Sequence, residues 1–236
     1  MPGAIVCLPT YNERENLERM VEALEPLDVR VLVIDDNSPD GTGELADRLA
    51  ADRDWLEVLH RPSKQGLGRA YVDGFRHALA TDADLVLQID CDFSHDPADV
   101  PRLIAAIEEG ADLAIGSRYV SGGGTANWGL LRRLVSRCAS IYTRVLLMPI
   151  RDGTGGFKCF RRRVLESIDL ERVDAAGYVF QIETTYRALR QGFRVVEVPI
   201  RFVDRTAGHS KMSRAIVMEA VWKVPWLRFE ALSRRL

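Results

Sequence analysis

Two aspartates separated by one residue, Asp90 and Asp92, are the clearest candidates for chemistry in this sequence. In an extended segment, residues i and i+2 point to the same side, so the two carboxylates can serve one site. Carboxylate oxygens are ligands that Mg²⁺ and Mn²⁺ prefer, and diphosphate oxygens can complete their coordination. A metal ion there would neutralise the charge that develops on a nucleoside-diphosphate leaving group. The alternative is that both aspartates are solvated and cap the loop before a helix.

Two further segments carry groups that could hold a nucleotide. Asp35 and Asp36 open a turn-rich segment after an apolar run, where a carboxylate can accept hydrogen bonds from base or ribose donors. The alternative is a turn followed by a helix cap, which the same residue types favour. Lys64 precedes Gly66 and Gly68 at the start of a helical pattern, where a ligand can approach unpaired backbone N–H groups. The alternative for these glycines is a flexible helix entry.

A basic segment near the C-terminus could bind phosphate. Arg205, Ser210 and Lys211 combine cations with a hydroxyl around a glycine, and such groups can hold phosphate oxygens. A solvated basic loop is the alternative. Gln181 and Glu183 lie on a predicted helix but do not share a face, so buried polar packing is an alternative for one of them.

Alternating strands and helices must position these side chains. Apolar runs predict buried strands at residues 4–8, 29–34, 56–59, 85–89 and 111–115. Helical patterns lie between them: one is capped by Asn12, two cover residues 42–51 and 67–79, and one begins at Asp96 and Pro97. This order predicts an α/β fold whose mostly parallel central sheet has helices on both faces. Ligands bind such sheets beyond the C-terminal ends of the strands, where both acidic pairs fall.

The second half of the sequence is less regular. It predicts helices at residues 128–147, 179–191 and 214–236, the last with a kink or break at Pro225, and a strand at residues 193–203. The first and last of these helices are basic and amphipathic, a pattern typical of membrane interfaces. Their candidate apolar surface consists of Trp128, Leu130, Leu131, Leu134, Leu146, Leu147, Trp222, Trp226, Leu227 and Phe229. The alternatives are that these helices pack on the domain or bind a membrane-spanning partner protein.

Composition and charge exclude several classes of protein. A chain of 236 residues suits one α/β domain, and a net charge of -2 argues against a nucleic-acid binder. The four cysteines are widely spaced, which indicates free thiols in a reduced cytosolic setting instead of a disulfide framework or a zinc site. We expect no membrane span and no signal peptide. A Rossmann dehydrogenase is disfavoured, because residues 9–12 lack the glycine fingerprint that would follow its first strand.

Eight segments, in order, resemble the GT-A glycosyltransferases, and within them the dolichol-phosphate mannose synthases of glycosyltransferase family 2. They are residues 8–13 (LPTYNE), 34–42 (IDDNSPDGT), 66–71 (GLGRAY), 90–95 (DCDFSH), 116–119 (GSRY), 152–157 (DGTGGF), 177–183 (GYVFQIE) and 203–211 (VDRTAGHSK). The resemblance covers nearly the whole chain. It implies a GT-A catalytic domain over residues 1–212 and a C-terminal basic amphipathic helical segment over residues 213–236.

The resemblance implies a role for each matching residue. The nucleotide-sugar site is expected to contain Pro9, Tyr11, Glu13, Asp36 on the base, Lys64, Gly68 and Asp90. The metal ligands for Mg²⁺ or Mn²⁺ are expected to be Asp90 and Asp92, with Ser94 as a third. Donor or acceptor phosphates are expected on Arg118, Arg205, Ser210 and Lys211. Asp152 and Gln181 are expected to line the sugar and acceptor pocket, and they join Asp92 and Arg118 as candidate catalytic residues.

The expected reaction is inverting transfer of mannose from GDP-mannose to a polyprenyl phosphate in a single displacement. The acceptor phosphate carries nearly two negative charges at neutral pH, because its second pKa is about 6, so no strong general base is required. The expected location is the cytoplasmic face of a membrane, with peripheral attachment and no nucleic-acid partner. The alternatives are a UDP-glucose-dependent polyprenyl-phosphate transferase, a transferase to a polysaccharide, and a non-catalytic sugar-nucleotide-binding subunit.

Overall fold

The computed structural model describes residues 3–173, 178–204 and 214–232. The strands are β1 (Ala4–Thr10), β2 (Arg30–Asp35), β3 (Leu56–His60), β4 (Leu85–Gln88), β5 (Leu113–Ser117), β6 (Gly124–Ala126), β7 (Lys158–Arg161), β8 (Val195–Pro199) and β9 (Arg201–Val203). The helices are α1 (Arg14–Leu24), α2 (Thr42–Ala50), α3 (Leu67–Leu79), α4 (Val100–Glu108), α5 (Leu130–Leu146), α6 (Arg162–Ser167), α7 (Tyr178–Arg190) and α8 (Arg214–Leu232).

Seven strands form one sheet in the order β3–β2–β1–β4–β7–β5–β8, and β6 pairs with β9 in a small second sheet. Neighbouring strands run parallel except β7, which is antiparallel to both β4 and β5. Side chains of β1 alternate between the faces: Ile5 joins the apolar cluster beneath α3, α6 and α7, while Val6 joins the cluster beneath α1, α2 and α4. The prediction of a mostly parallel sheet with helices on both faces is therefore confirmed.

The start of α1 differs from the sequence prediction. Asn12 is not its N-cap, because the helix begins at Arg14 after Glu13, and Glu13 makes no side-chain capping hydrogen bond. Asn12 instead has a positive φ of 58°, and its backbone N–H donates to the Ser38 hydroxyl at 3.1 Å. Asn12, whose residue type suggested a cap, thus lies in a turn that is hydrogen-bonded to the loop after β2.

The predicted strand at residues 193–203 is divided between two sheets, so that prediction is wrong in part. β8 pairs with β5 as far as Pro199, which has no N–H to continue a ladder. The N–H of Ile200 donates to Ser117 O at 3.0 Å, and the carbonyl of Ile200 accepts from Gly124 of β6 at 3.0 Å. The chain therefore passes from the large sheet to the small one at Ile200.

The antiparallel strand β7 was not among the predicted strands. It has only four residues, and Lys158 and Arg161 at its ends leave no apolar run that could be recognised. Its central position nevertheless matters for the site, because it brings the loop before it to the carboxyl ends of β4 and β5.

The last helix packs on the domain. Val224 and Leu227 of α8 are buried in the apolar cluster that includes Phe180 of α7. The prediction was a kink or a break at Pro225; this residue lies inside α8 and does not end it, so a break is not observed. Within the described part of the chain, no helix combines the length and apolar character needed to cross a membrane.

Candidate active site

The acidic segment after β4 lies at the carboxyl end of the sheet. Tyr71 of α3 donates its hydroxyl to Asp90 Oδ1 at 2.9 Å, and its ring stacks on Phe180 at a centroid distance of 5.8 Å. Burial and the charge of Asp90 raise the pKa of Tyr71, so its hydroxyl remains a donor. Asp92 Oδ1 accepts the backbone N–H of Ser94 at 3.0 Å. Both carboxylates are thus oriented by neighbouring protein groups.

The oxygen atoms of this segment fit a divalent cation. The Ser94 hydroxyl is buried and has no hydrogen-bond partner in the part of the chain that the structure describes. With Asp90 and Asp92 it supplies hard oxygen donors of the kind that Mg²⁺ and Mn²⁺ bind. Cys91 is buried in the apolar cluster beneath α1, α2 and α4, which keeps its soft sulfur out of this set. No three His, Cys, Asp or Glu side chains of the described residues form a metal site by themselves, so a cation here needs further ligands.

A space bordered by polar groups lies beside Gly156, in the loop before β7. A Cβ atom at this position would lie 3.7 Å from Gln181 Nε2, 3.8 Å from His95 Nε2 and 4.0 Å from Asp90 Oδ2. Gln88 of β4 fixes this arrangement by donating to Gln181 Oε1 at 2.5 Å and to Gly156 O at 2.6 Å. The structure therefore brings two predicted site residues, Asp90 and Gln181, within 4.0 Å of one position beside Gly156.

The predicted nucleoside residues lie at the ends of β1 and β3. Pro9 is buried in β1, and the Lys64 ammonium nitrogen lies 3.7 Å from the centroid of the Tyr11 ring. Gly68 is buried in the first turn of α3, which follows Gly66 at a φ of 98°. Because only glycine adopts that backbone conformation without strain, the helix start itself requires Gly66.

Glu13 follows β1 and directly precedes α1. Burial raises the pKa of the Cys91 thiol, and the charge of Glu13 adds more to this rise than the charges of Asp92 and Asp90 do. All three carboxylates therefore act on the same buried thiol. The placement joins the predicted nucleoside pocket to the predicted metal ligands.

Asp36 forms an ion pair that was not predicted. Arg61, directly after β3, donates Nη1 to Asp36 Oδ1, and its Nε donates to Asp73 Oδ2 of α3 at 2.8 Å. Burial raises the pKa of Asp36, whereas the hydrogen bond and charge of Arg61 lower it, and the net shift is upward. The sequence signal for Arg61 was a charged residue just after a predicted strand.

A second buried ion pair joins the end of β5 to the loop before β7. Arg118 donates Nε to Asp152 Oδ2 at 2.7 Å and Nη2 to Asp152 Oδ1 at 2.6 Å, and its backbone N–H also reaches Oδ2 at 2.9 Å. The same Nη2 donates to Thr154 Oγ1 at 2.8 Å. Asp152 is fully buried and both of its carboxylate oxygens accept hydrogen bonds inside the protein, so it orients Arg118.

Glu197 of β8 holds the Asp152 loop in place and was not predicted. Its carboxylate accepts the Ser117 hydroxyl at 2.7 Å and the backbone N–H groups of Arg151 and Asp152, each at 2.9 Å. The signal in the sequence was a single acidic residue inside an otherwise apolar strand.

Aromatic rings surround the Arg118 guanidinium. Its carbon lies 5.3 Å from the ring centroid of Tyr119 and 5.5 Å from those of Trp128 and Phe202. The Phe202 ring meets the His95 ring edge-on at 4.9 Å. Trp128 is buried in this group, so the prediction that it lies on an exposed apolar surface is wrong.

A buried lysine of β7 connects α7 to the sheet by hydrogen bonds. Lys158 Nζ donates to Gln181 O at 2.6 Å and to Thr184 Oγ1 at 3.1 Å, and burial lowers the pKa of this amine well below its usual value. Glu183 accepts Arg187 Nε at 2.9 Å and is buried, so it contributes to polar packing within α7.

The predicted apolar surface is present in part. Exposed apolar side chains on α5 and α8 are Leu130, Leu131, Leu134, Ile141, Val145, Val221, Trp222, Trp226 and Phe229. Leu227 is buried and Leu146 and Leu147 are partly buried, so the prediction is wrong for these three. The predicted phosphate-binding residues Arg205, Ser210 and Lys211 lie outside the described residues.

Comparison with known families decides the class of protein. Residues 5–169 match the family model described as glycosyl transferase family 2. The chain belongs to this family. Its relatives include the polyprenol monophosphomannose synthase of Mycolicibacterium smegmatis, 51% identical over 93% of this chain and 84% of the relative. The undecaprenyl-phosphate mannosyltransferase of Micrococcus luteus is 45% identical over 98% of each chain.

Solved structures share the fold of this family 2 member at low sequence identity. Glucosyl-3-phosphoglycerate synthase from Mycobacterium tuberculosis superposes with a TM-score of 0.66 and 22% identity, covering 98% of this chain and 80% of that one. The mannosyltransferase PcManGT from Pyrobaculum calidifontis, solved with GDP-Man and Mn²⁺, gives 0.62 and 16% over 98% and 73%. The GT-A fold expected from the sequence is therefore confirmed.

Proposed function

We propose that this chain transfers mannose from GDP-mannose to a polyprenyl phosphate with inversion at the anomeric carbon. The observation that carries the proposal is its similarity, at 51% and 45% identity over nearly its whole length, to two enzymes named for mannosyl transfer to polyprenyl acceptors. The geometry supports it, because the carboxylates after β4 and the guanidinium after β5 lie at one edge of the sheet.

Asp90 and Asp92, with Ser94, would hold Mg²⁺ or Mn²⁺. When bound, the ion supplies positive charge that stabilises the departing diphosphate. Tyr71 keeps Asp90 oriented, and the Ser94 N–H does the same for Asp92, so these carboxylates need little rearrangement to bind.

Arg118 would stabilise the phosphate of donor or acceptor. Its guanidinium is held by Asp152 from one side and lies among aromatic rings that exclude water. A cation in such a setting attracts phosphate oxygens more strongly than one in bulk water. The acceptor phosphate is already anionic, so positioning replaces proton abstraction as the main task of the site.

Gln181 and Asp90 border the space beside Gly156, where a sugar hydroxyl could meet an amide donor and a carboxylate acceptor. The loop that carries Arg205, Ser210 and Lys211 would add phosphate contacts. Tyr11, Glu13 and Asp36 would bind the nucleoside.

The apolar surface of α5 and α8 would bring the site to its lipid acceptor. Tyr142 of α5 donates to Val221 O of α8 at 2.9 Å, and Arg228 of α8 donates to Leu146 O at 2.7 Å, so the two helices present one surface. We expect it to lie on the cytoplasmic leaflet, directly or beside a membrane-spanning partner protein. Trp222→Ser should reduce sedimentation with anionic vesicles, while unchanged sedimentation would leave a protein partner as the explanation.

The test incubates purified protein with Mn²⁺, polyprenyl phosphate and labelled GDP-mannose or UDP-glucose in parallel, and measures label in the lipid phase. Label from GDP-mannose that disappears in Asp92→Ala is the expected result. Label from UDP-glucose alone would overturn the donor and keep the reaction class. Normal transfer by Asp92→Ala would overturn the role of the acidic segment.

A further inference from the structure

Hydrogen bonds from the backbone and from the side chain of Arg61 hold its guanidinium in one orientation. Its backbone N–H donates to Asp35 O at 2.8 Å, which fixes the main chain against β2. Its Nε donates to Asp73 Oδ2 of α3 at 2.8 Å, which fixes the far end of the side chain. The Arg61 side chain is 4% exposed. An arginine with both ends anchored and no room to move is suited to orient another group.

That other group is the carboxylate of Asp36, which is 7% exposed and pairs with Arg61 through Oδ1. A carboxylate on a short side chain turns easily, since its terminal torsion has broad wells. Pairing Oδ1 with a fixed guanidinium removes that freedom. Oδ2 has no hydrogen-bond partner among the residues that the structure describes. The arrangement leaves one acceptor oxygen in a defined direction.

We propose that Arg61 is a positioning residue that turns the second carboxylate oxygen of Asp36 toward the N–H donors of the nucleotide base. This inference rests on the proposed function, because it takes Asp36 as the residue that meets the base. A carboxylate accepts from the adjacent N–H groups of guanine or from the single ring N–H of uracil, so Arg61 serves recognition of either base.

The charges around Asp36 determine the effect of removing Arg61. Burial raises the pKa of Asp36 and the charge of Asp35 adds to the rise, whereas Arg61 and Lys64 lower it. Asp73 lies behind Arg61 and balances its charge. Without Arg61, burial and Asp35 are opposed by Lys64, which is exposed. The Asp36 carboxyl group would then take up a proton at a higher pH and lose acceptor capacity.

The experiment measures GDP and UDP binding by calorimetry, with Mn²⁺ present, across a series of pH values. It uses the full chain, Arg61→Gln, Asp36→Asn and the double variant, with Arg53→Gln as the matched control. Arg53 is a partly buried arginine whose Nη1 donates to Leu49 O at 3.0 Å, away from this site. We expect Arg61→Gln to weaken GDP binding about tenfold, as for one charge-assisted hydrogen bond, and Arg53→Gln to leave it unchanged.

Two further results distinguish a positioning role from a structural one. The loss of affinity on acidification should begin at a higher pH in Arg61→Gln than in the unaltered protein. The double variant should bind no more weakly than Asp36→Asn, because Arg61 acts through Asp36. Fully additive losses would instead mean that Arg61 contacts the nucleotide, and unaltered affinity in Arg61→Gln would equally overturn the inference.

A variant at Asp73 tests the inference if Arg61→Gln does not fold. If Arg61→Gln unfolds, Asp73→Ala removes the acceptor that anchors Arg61 Nε while the pair with Asp36 remains, and it should weaken GDP binding by less than Asp36→Asn does. Unaltered GDP affinity in Asp73→Ala would then count against the inference. An unaltered protein that binds neither GDP nor UDP would overturn the proposed function and this inference together, whereas binding without dependence on Arg61 would overturn the inference alone.

Discussion

Two regions of the site use the same pair of residue types for opposite purposes. In the proposed nucleoside region Asp36 pairs with Arg61, and in the proposed acceptor region Asp152 pairs with Arg118. Both carboxylate oxygens of Asp152 accept hydrogen bonds from Arg118, and the residue is fully buried. Asp36 accepts from Arg61 through one oxygen, Oδ1. In the first region the arginine orients the carboxylate, and in the second the carboxylate orients the arginine.

This difference shows why a buried ion pair cannot be assigned a function from its residue types. Desolvation makes such pairs poor sources of stability unless further hydrogen bonds satisfy them. The pair at Asp152 is satisfied by Thr154 and by a backbone N–H, so its polar atoms are directed inward. In each ion pair, the residue whose polar atoms can form a further hydrogen bond is the one that can bind a ligand.

The largest effect should come from Asp152→Asn. The amide cannot accept from Arg118 on both sides, so the guanidinium loses its orientation and a buried charge loses its partner. We expect the transfer rate kcat to fall about a hundredfold or more and stability to fall by about 3–5 kcal/mol. Steady-state kinetics and thermal unfolding measure both, with the exposed Glu166→Gln as control. A change in donor KM alone would contradict the contrast between the regions.

Asp36→Asn should act on donor binding. We expect KM for the nucleotide sugar to rise about tenfold with kcat changed less than about twofold, because the contact with the base is the same in ground and transition states. Initial rates at varied donor concentration give both constants. A fall in kcat at constant KM would mean that this pair, like the other, supports the chemical step.

Glu197→Gln should lower kcat, as Asp152→Asn does, but by a smaller factor. The amide keeps one acceptor oxygen but loses an acceptor for the N–H of Arg151 or Asp152, which loosens the loop beneath Arg118. Loss of one hydrogen bond of about 1 kcal/mol corresponds to a decrease in kcat of about fivefold. The same kinetic assay measures it, and unaltered kcat would show that Arg118 and Asp152 are held without this support.

Asp112→Asn should alter stability and leave catalysis unchanged. Burial raises the pKa of Asp112, but the Arg194 N–H at 2.9 Å and Arg163 outweigh it, and the net effect is a pKa below its usual value. The carboxylate therefore stabilises the fold above the pH at which it ionises in the unfolded chain, and this stability is lost as pH falls through the lower folded pKa. We expect a decrease in Tm of about 2–4 °C at neutral pH that shrinks in acid. A decrease that persists in acid would assign the effect to packing.

The parallel half of the sheet could be predicted from the sequence because its strands are short, mostly apolar runs that alternate with helical patterns. Asp36, Asp90 and Asp92 fall at the strand ends by that pattern, since strand ends in such a sheet meet at one edge, whereas Pro9 was expected from the family resemblance. Asp96 also caps its turn as predicted, accepting the Ala98 N–H at 2.9 Å.

Parts of the other half could not be predicted, because their structure depends on contacts distant in sequence. Lys158 looks like a surface residue until β7 is placed between two strands. In the parallel half, too, Arg61 has no visible partner until β2 and α3 are packed. Trp128 has the pattern of an exposed helix residue, yet Phe202 from the second small-sheet strand covers it at 5.1 Å.

The placement of the four cysteines has a practical consequence for labelling. Cys7, Cys91 and Cys159 are buried and burial raises their pKa, whereas Cys138 is exposed on α5. Reagents react with the thiolate of accessible cysteines. A maleimide dye should therefore label the native chain at Cys138, on the helix that we expect to approach the lipid. Fluorescence can then follow membrane binding without an engineered cysteine.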